Sequence, residues 1–508
     1  MNRNSRSIWS RSAWILSIIV LVGAALRLYR LDAQSFWADE AFSALIAASS
    51  AVDVLSNAFA SVHPPGYYFL LHLWRSLAGG TDLALRYPSA LLGVLGIVLT
   101  YQLGRNIRSR RLGLWAAGIT ALAPYHVFYS QEARMYTLLY CLTCVIMLAY
   151  IRLWQDEGYG WWVVFVLAAV AGLWSHFFAG FVIAVVGGHF CFVRLWYPDS
   201  GRPLPWRVST GKASPGWLSF FVANGVVALV FGLYWARFLS RVQIVDAETW
   251  RVPPSLGELI GLPLALTMSQ FLSGTWQMVA FGCVIFLVII VGLQAARALW
   301  QRGPAANWLL LLALFFLIPV VTSYVVSYSW RLVFSARVLI IVAPALYLLI
   351  AWSAVHTRES RLNQLILFLL LPQAMLGLCH WFFSPSYAKP PVRDAAYLVQ
   401  ESKLANGPVL HAIPTSYKIF NHYIPDLDNR LITGHPTQLQ SGDVYERMGG
   451  SLVDPTAVPG DHFWLVVFPV HSLEFQFAMR DDFDVRFHRQ QEWDVSGIQI
   501  YYYAQGDS

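Results

Sequence analysis

Long apolar runs constrain what this chain can fold into more than any other feature of its sequence. The hydrocarbon core of a bilayer is about 30 Å thick, so a helix needs roughly 20 apolar residues to cross it. Hydrophobic residues make up 57% of the chain and charged residues only 12%. The pattern predicts a polytopic α-helical membrane protein of about 11 spans. These spans are expected near residues 13–30, 86–104, 112–128, 134–151, 161–176, 178–195, 217–238, 276–297, 306–326, 337–355 and 363–383.

The positions of basic residues between these runs predict how the chain is oriented. Cytoplasmic loops of membrane proteins are enriched in Lys and Arg. If the spans are counted as above, the basic loops all fall on one side, which predicts a cytoplasmic N-terminus in the cytoplasmic (inner) membrane. The residues after the last run are then extracytoplasmic. The residues that carry this signal are Arg3, Arg6, Arg11, Arg105, Arg108, Arg110, Arg111, Arg202, Arg207, Lys212, Arg297, Arg302, Arg358 and Arg361.

The basic residues favour neither nucleic-acid binding nor a cleaved signal peptide. The net charge of +7 includes no long basic stretch. We therefore expect membrane lipids and no nucleic acid among the partners. The first apolar run follows several arginines, as a signal peptide would, but no small-residue cleavage site follows it, so we expect a retained span.

The composition changes after about residue 385, where proline and charged residues become more frequent. Short β-type runs appear at Phe463–Phe468 and Ile498–Tyr503, and a helical pattern runs from Val392 to Leu404. We therefore expect residues 1–385 to form a transmembrane domain and residues 386–508 a small extracytoplasmic α/β domain. The first domain would carry a large external loop, 31–85, with helical patterns after Asp39 and after Pro65. Segment 256–274 fits an interfacial helix, a re-entrant piece or a further span.

The acidic pair Asp39-Glu40 follows the first predicted span and is costly to bury without a partner. One structural role would be for Asp39 to cap a helix that runs to about Ser49. A second would be an ion pair with Arg27 or Arg30. A functional role would be a general base that takes a proton from an acceptor hydroxyl at the boundary of water and lipid.

Further polar residues are predicted on the same external face. His63 precedes two prolines and fits either a loop histidine bound to backbone or water, or a phosphate or metal contact. Glu132 and Arg134 are expected to open the fourth span, where a salt bridge or a snorkelling pair is the structural alternative. His176 marks another external turn. Arginines that suit phosphate recognition lie near the tenth span, at Arg331 and Arg337.

Several of these segments together resemble the GT-C membrane glycosyltransferases, in particular the family 39-like bacterial enzymes. That branch is related to the protein O-mannosyltransferases and to the transferases that add aminoarabinose to lipid A. The resemblance is specific over residues 25–140 and weaker, mainly topological, to about residue 385. It is carried by Arg30–Ser43 with Trp37, Asp39 and Glu40, by His63–Tyr68, by Leu85–Ser89 with Gly93, by Pro124, by Tyr129–Tyr136 and by Arg337 with Pro344.

The resemblance implies roles for individual residues. Asp39 matches the catalytic carboxylate of the first external loop, and Glu40 matches the second acid that supports it or the substrate. Arg134, Arg331 or Arg337 would neutralise the leaving polyprenyl phosphate, and Glu132 would bind sugar or acceptor. The full set expected to contact substrate or donor phosphate is His63, Tyr67, Arg86, Glu132, Arg134, His176, Arg331 and Arg337.

The implied activity is that of a hexosyl- or pentosyltransferase. It would move a sugar from a polyprenyl-phosphate-linked donor to a hydroxyl of a lipid, polysaccharide or protein acceptor on the extracytoplasmic face, with inversion. No cofactor is certain, and the use of a divalent metal is left open. The alternative is a transporter or flippase of lipid-linked sugars, and a scaffold or receptor is a third choice. Transporters often show internal repeats and ionisable groups in mid-span, neither of which is clear here.

Overall fold

The computed structural model describes residues 3–60, 63–155, 158–196, 216–242, 253–268, 271–301, 306–330, 332–356, 360–402, 404, 407–433, 451–456, 458, 460–468 and 473–504. The chain divides into two compact units. One, the membrane unit, consists of Met1–Tyr29, Tyr87–Ala236 and Pro253–Tyr387. The other, the loop–tail unit, consists of Arg30–Arg86, Arg237–Val252 and Ala388–Ser508.

The described residues are mostly helical, and a 3₁₀ helix, Val338–Val342, precedes α15. In chain order the α-helices are α1 (Arg3–Leu28), α2 (Ala38–Ala48), α3 (Ala51–Ala60), α4 (Gly66–Ala78), α5 (Asp82–Ile107), α6 (Arg110–Leu122), α7 (Pro124–Ser130), α8 (Tyr136–Trp154), α9 (Gly160–Ser175), α10 (Ala179–Trp196), α11 (Trp217–Val242), α12 (Leu256–Met268), α13 (Gly274–Trp300), α14 (Ala306–Ser329), α15 (Ala343–His356), α16 (Ser360–Phe383), α17 (Val392–Glu401), α18 (Pro414–Tyr423) and α19 (Leu473–Arg486).

Seven helical segments of the described chain are long and apolar enough to cross a membrane. They are Arg11–Leu28, Asp82–Ile107, Tyr136–Trp154, Gly274–Trp300, Ala306–Ser329, Val338–Val355 and Asn363–Phe383. Shorter apolar stretches lie in α9, α10, α11 and α12, at Gly160–Ser175, Ala179–Leu195, Trp217–Gly232 and Leu256–Met268. A multi-pass membrane protein is therefore confirmed, whereas the predicted number of spans stays a prediction. At 13 residues, α12 is shorter than the roughly 17–25 residues typical of a full span.

The predicted span 112–128 is instead two helices, α6 and α7, with a break at Ala123. Pro124 begins α7 and has no backbone N–H, so it cannot donate to the carbonyl of Thr120. The guanidinium of Arg27, which is fully buried, fills this gap. Its Nη2 donates to the Thr120 carbonyl at 2.9 Å, and its Nη1 donates to the Ala121 carbonyl at 3.1 Å. Arg27 thus caps the C-terminus of α6, where a helix favours a positive charge.

Two glycines let α5 and α6 approach each other closely. A Cβ atom built on Gly104 would lie 2.8 Å from the Cα of Gly113. A Cβ atom built on Gly113 would lie 2.5 Å from the carbonyl oxygen of Tyr101. The helix pair therefore depends on small residues at the crossing, as membrane helices often do.

The tail of the loop–tail unit forms the predicted α/β domain, and its described residues include one six-stranded sheet. The strands are β1 (Val409–His411), β2 (Asn429–Ile432), β3 (Ser451–Val453), β4 (His462–Val467), β5 (His488–Val495) and β6 (Ile498–Ala504), in the order β3-β2-β1-β4-β6-β5. The first four strands are parallel, and β6 pairs antiparallel with β4 and β5. The runs Phe463–Phe468 and Ile498–Tyr503 contribute the adjacent interior strands β4 and β6, as expected for apolar segments buried on both faces.

The predicted first external loop belongs to the same compact unit as the tail. It contains α2 and α4, which the helical patterns predicted, and also α3, which they did not. Ala41 of α2 is buried in one apolar core with tail residues such as Val392, Phe420 and Trp464. The loop is therefore held by the tail domain, and the division at residue 385 does not separate the two.

Candidate active site

The acidic pair lies in the first turn of α2. The helix begins at Ala38 with Trp37 as its N-cap, so Asp39 is the second helical residue. The prediction that Asp39 caps this helix is therefore wrong. An oxygen of Glu40 instead faces the backbone N–H of Trp37, at 3.4 Å. Asp39 is half-buried, whereas the side chain of Glu40 is fully buried. The two adjacent carboxylates therefore occupy different environments.

Glu40 is the acceptor of a buried ion-pair network. The Nε and Nη2 atoms of Arg86 donate to its two carboxylate oxygens at 2.8 and 2.9 Å. Lys389 Nζ donates to Oε2 at 2.7 Å. Burial alone would raise the pKa of Glu40, but the charges of Arg86 and Lys389 hold that pKa well below its ordinary value. Glu40 is therefore a charged structural anchor that pairs with Arg86 and Lys389.

Arg86 uses its remaining donors on the backbone of the loop before α2. It donates to the carbonyl oxygens of Leu31, Gln34 and Ser35 at 3.0, 2.7 and 3.1 Å. Its guanidinium also lies over the ring of Phe36, 4.8 Å from the ring centre. Arg86 thus fixes the entry to α2, which differs from the substrate or donor-phosphate contact expected of it.

A second polar cluster joins the same loop to the tail at Asp82, the first residue of α5. Its carboxylate accepts from the hydroxyl of Tyr423 at 2.7 Å and lies 3.2 Å from Nε2 of His422. The backbone N–H of Phe36 donates to the Tyr423 hydroxyl at 2.6 Å, and the Phe36 ring stacks on His422. None of the tail residues was predicted, because their sequence forms no motif and each meets its partner across more than 300 residues of chain.

The other predicted site residues of the loop lie around α4. His63 is half-buried in the turn before Gly66, and Tyr67 is buried with its ring edge-on to Tyr68. Tyr68 in turn packs on Phe42, one turn after Asp39 in α2. The ammonium group of Lys418, in α18, lies 5.1 Å from the centre of the Phe42 ring. A tail lysine that the sequence did not single out is therefore close to the first turns of α2.

In the membrane unit, Glu132 and Arg134 lie in the turn between α7 and α8 and not at the start of the fourth span. The expectation that both open that span is therefore wrong; α8 begins at Tyr136. Both side chains are buried. Gln131 orders this turn, because its amide donates to the Tyr29 carbonyl at 2.8 Å and accepts from Trp381 at 2.7 Å.

In the membrane unit, the charges of Arg134 and Arg337 act on His176. His176 lies in the short connection between α9 and α10, and its Nδ1 accepts from the backbone N–H of Phe178 at 3.2 Å. Burial, together with the charges of Arg134 and Arg337, lowers the pKa of His176 to about 3. His176 is therefore neutral at pH 7 and carries its proton on Nε2. A neutral donor beside two guanidinium groups suits an anionic oxygen.

Two further arginines were predicted to face the donor phosphate. Arg331 lies outside the described residues. Arg337 precedes the 3₁₀ helix, in a segment that the Tyr125 hydroxyl anchors by donating to the Ala336 carbonyl at 2.7 Å. As for a divalent metal, no group of three or more His, Cys, Asp or Glu side chains among the described residues is arranged to hold one.

Known proteins share this architecture. Residues 62–200 match the family model described as dolichyl-phosphate-mannose-protein mannosyltransferase. The structure is similar to ArnT from Cupriavidus metallidurans in the apo state, with a TM-score of 0.64, 12% identity and coverage of 97% of this chain and 98% of that chain. The same ArnT bound to undecaprenyl phosphate matches with a TM-score of 0.62 and 13% identity, over 98% of this chain and 99% of that chain. A third match is the archaeal oligosaccharyltransferase AglB from Archaeoglobus fulgidus, in complex with an inhibitory peptide and a dolichol-phosphate. Its TM-score is 0.52 and its identity 12%, over 99% of this chain and 75% of that chain.

These likenesses define the fold. At such low identity they establish architecture, and no curated protein sequence matches the chain significantly. The chain has the GT-C fold, with its C-terminal α/β domain, as the sequence predicted. Two of the structures that share this fold were solved with a lipid phosphate bound.

Proposed function

We propose that the protein is a glycosyltransferase that moves a sugar from a polyprenyl-phosphate-linked donor to an acceptor hydroxyl. The acceptor oxygen attacks the anomeric carbon with inversion, its proton passes to Asp39, and the bond from the sugar to the phosphate oxygen breaks. Polyprenyl phosphate leaves with the electrons of that bond. The sugar is a hexose or a pentose, and the acceptor is a lipid, a polysaccharide or a protein.

The difference between the two carboxylates of the acidic pair carries the proposal. Glu40 is fully buried and tied to Arg86 and Lys389, so its charge is already balanced. Asp39 is half-buried in the first turn of the same helix. A general base must reach the proton that it removes, and a partly exposed carboxylate meets that requirement. Asp39 is therefore assigned as the base and Glu40 as the residue that holds its helix in place.

The basic residues of the membrane unit are assigned to the donor phosphate. Arg134 and Arg337 would balance the charge that grows on the leaving phosphate. Neutral His176 would donate a hydrogen bond from Nε2 without adding a third positive charge. Glu132, buried in the same turn as Arg134, is assigned to the sugar or the acceptor. His63, Tyr67 and Arg331 are assigned to the binding of substrate or donor phosphate.

The same proposal includes the location of the reaction. We place the chemistry on the extracytoplasmic face of the inner membrane, with the N-terminus in the cytoplasm and the tail domain outside. The arginines at the end of α5, in the connection that follows it and at the start of α6 support this orientation. Cysteine introduced at the exposed Glu492 of the tail should react with a membrane-impermeant reagent added from outside, and labelling from the cytoplasmic side alone would contradict the orientation.

The test of the activity compares Asp39→Asn with the wild type in purified, lipid-reconstituted protein. Candidate polyprenyl-phosphate sugars are supplied, and the release of polyprenyl phosphate is measured. Asp39→Asn should reduce the turnover rate by about 10²–10⁴-fold, the contribution typical of a general base. Asp32→Asn is a matched control, because Asp32 is an exposed acid of the same loop.

Equal release by Asp39→Asn and the wild type would remove Asp39 from the mechanism. Release by neither protein with any polyprenyl-phosphate sugar, together with movement of such a lipid across the bilayer, would favour the transporter. Unfolding temperatures of both variants must match that of the wild type, since the change removes a charge near the N-terminus of α2.

A further inference from the structure

An apolar groove of about 360 Å³ runs beside α6 in the membrane unit. Its walls come from α1, α6, α12 and α16. The volume falls within the range of about 300–1,000 Å³ that is typical of small-molecule sites. Arg111 is the single charged residue among the described residues that line it. The hydroxyl of Thr267, which also lines it, already donates to the Pro263 carbonyl at 2.7 Å. The groove therefore fits an apolar ligand that carries one charged group, placed at Arg111.

The length of the groove matches one leaflet of a bilayer. Its lining follows α6 from Arg111 to Leu122, the end of the helix. Twelve residues of helix rise about 18 Å, and one leaflet supplies about half of the 30 Å hydrocarbon core. An extended hydrocarbon chain lying parallel to α6 would therefore fill the groove from one end to the other.

The two ends of the groove differ in charge. Arg111 is exposed in the first turn of α6, where the helix dipole adds a partial positive charge. At the other end, Met268 is buried in an apolar cluster with Leu264 and Ala374, against which Leu122 packs. An anionic group is therefore favoured at the Arg111 end and a hydrocarbon terminus at the other.

The surface around the groove is apolar and exposed. On α1, Trp14 is 70% exposed, and on α16, Phe368 is 74% exposed. Side chains of this kind on membrane helices face lipid. A ligand would therefore reach the groove sideways from the bilayer and not from water.

We propose that this groove binds an anionic phospholipid, with its phosphate at Arg111 and one acyl chain along α6. The donor is not the occupant in this proposal. The residues assigned to the donor phosphate, such as Arg134, follow α7 and so lie beyond the opposite end of α6. The basic connection before α6 is expected on the cytoplasmic side, where anionic lipids are concentrated.

The test measures lipid binding to the purified full-length protein by native mass spectrometry. Phosphatidylglycerol is the anionic probe, and phosphatidylethanolamine with the same acyl chains is the zwitterionic match. The wild type should retain phosphatidylglycerol about fivefold more strongly, the effect expected of one arginine near an anionic headgroup. Arg111→Gln should abolish this preference, whereas Arg105→Gln, which removes an exposed arginine from the last turn of α5, should keep it.

A second variant tests the apolar part. Gly118 lines the groove, and a Cβ atom built on it meets no other atom within 4 Å. Gly118→Leu should therefore fill the groove and weaken the binding of both lipids without lowering the unfolding temperature. Gly225→Leu is the control, because Gly225 is equally open but lies on α11.

Three results would overturn the proposal. The first is equal retention of the two lipids by the wild type. The second is an unchanged preference in Arg111→Gln. The third is displacement of phosphatidylglycerol by equimolar polyprenyl phosphate, which would assign the groove to the lipid chain of the donor.

Discussion

The ammonium group of Lys389 lies 2.7 Å from a carboxylate oxygen of Glu40, across 349 positions of sequence. The backbone N–H of Lys389 also donates to the side chain of Gln34 at 3.0 Å. The first residues of the tail therefore hold the loop that carries the acidic pair at two points. The tail domain is part of the framework that holds α2, and not an appendage to it.

Lys389→Met should destabilise the loop–tail unit. Glu40 would keep Arg86 but lose one hydrogen bond to a charged group, which costs about 1.5–3 kcal/mol in the free energy of unfolding. Thermal unfolding of the purified protein measures the change. Arg430→Met serves as the control, since the exposed Arg430–Asp428 pair should contribute less than about 1 kcal/mol. Equal losses in the two variants would contradict the anchoring role.

The ion pairs of Glu40 should make the free energy of unfolding depend on pH in the acidic range. Its pKa in the folded protein is well below the value of about 4.3 for an unperturbed glutamate. The unfolded state therefore binds a proton first as the pH falls below about 5, and this part of the stability, complete at neutral pH, is progressively lost. Glu40→Gln should be less stable at pH 7 and should show a shallower loss between pH 5 and 3. Unfolding temperatures across that range test it, and parallel curves would contradict it.

Arg27→Met should be strongly destabilising. The carbonyls of Thr120 and Ala121 would lose their donor in a setting without water, at about 1–3 kcal/mol for each buried unsatisfied group. Arg11→Met, on the exposed face of the same helix, removes the same charge and should change the unfolding temperature little. The capping role would be refuted if Arg27→Met unfolded at the wild-type temperature.

Two glycines of α6 provide a matched pair. Gly113→Ala places a methyl group against the Tyr101 carbonyl and should cost about 1–3 kcal/mol by overpacking. Gly118→Ala meets no atom within 4 Å and should be neutral, or stabilising by up to about 1 kcal/mol through helix propensity. Both are read from unfolding temperatures. The close approach of α5 and α6 would be in doubt if the two changes had the same sign.

His176→Gln should reduce the rate without changing its pH dependence. A lost hydrogen bond to the donor is expected to lower kcat/KM for the donor about tenfold. Because the pKa of His176 is about 3, the residue does not titrate between pH 5 and 8 in the free protein. The profiles of variant and wild type should therefore have the same shape over that range. A limb near pH 6 that disappears in the variant would show that His176 is protonated in the working enzyme.

Apolar patterns were sufficient to predict most of the architecture. The helix Val392–Glu401 and the strands β4 and β6 follow from periodicity, because each buries a continuous apolar face or both faces. Two elements were missed for identifiable reasons. α3 is short, although Ser50 and Asp53 form a capping pair that marks its start. The break at Ala123 coincides with Pro124, whose missing N–H removes one helical hydrogen bond. Other prolines, such as Pro88 and Pro319, lie inside continuous helices, so the residue type alone did not predict the break.

The candidate site was predicted less completely than the fold. The sequence did single out Asp39, Glu40, Arg134 and His176 as candidate site residues. The sequence could not indicate that Glu40 pairs with Lys389. That contact depends on the docking of the tail against α2, which no local pattern encodes.

The pairing of a loop near one end of the chain with a tail near the other sets an order on assembly. A chain made at about 5–20 residues per second needs roughly 20–70 s to proceed from Glu40 to Lys389. By then the last candidate span, Asn363–Phe383, has already been synthesised. A nascent chain can therefore insert its helices while the carboxylate still lacks its lysine. The base proposed for catalysis would therefore gain its full support only after Lys389 has been synthesised and has met Glu40.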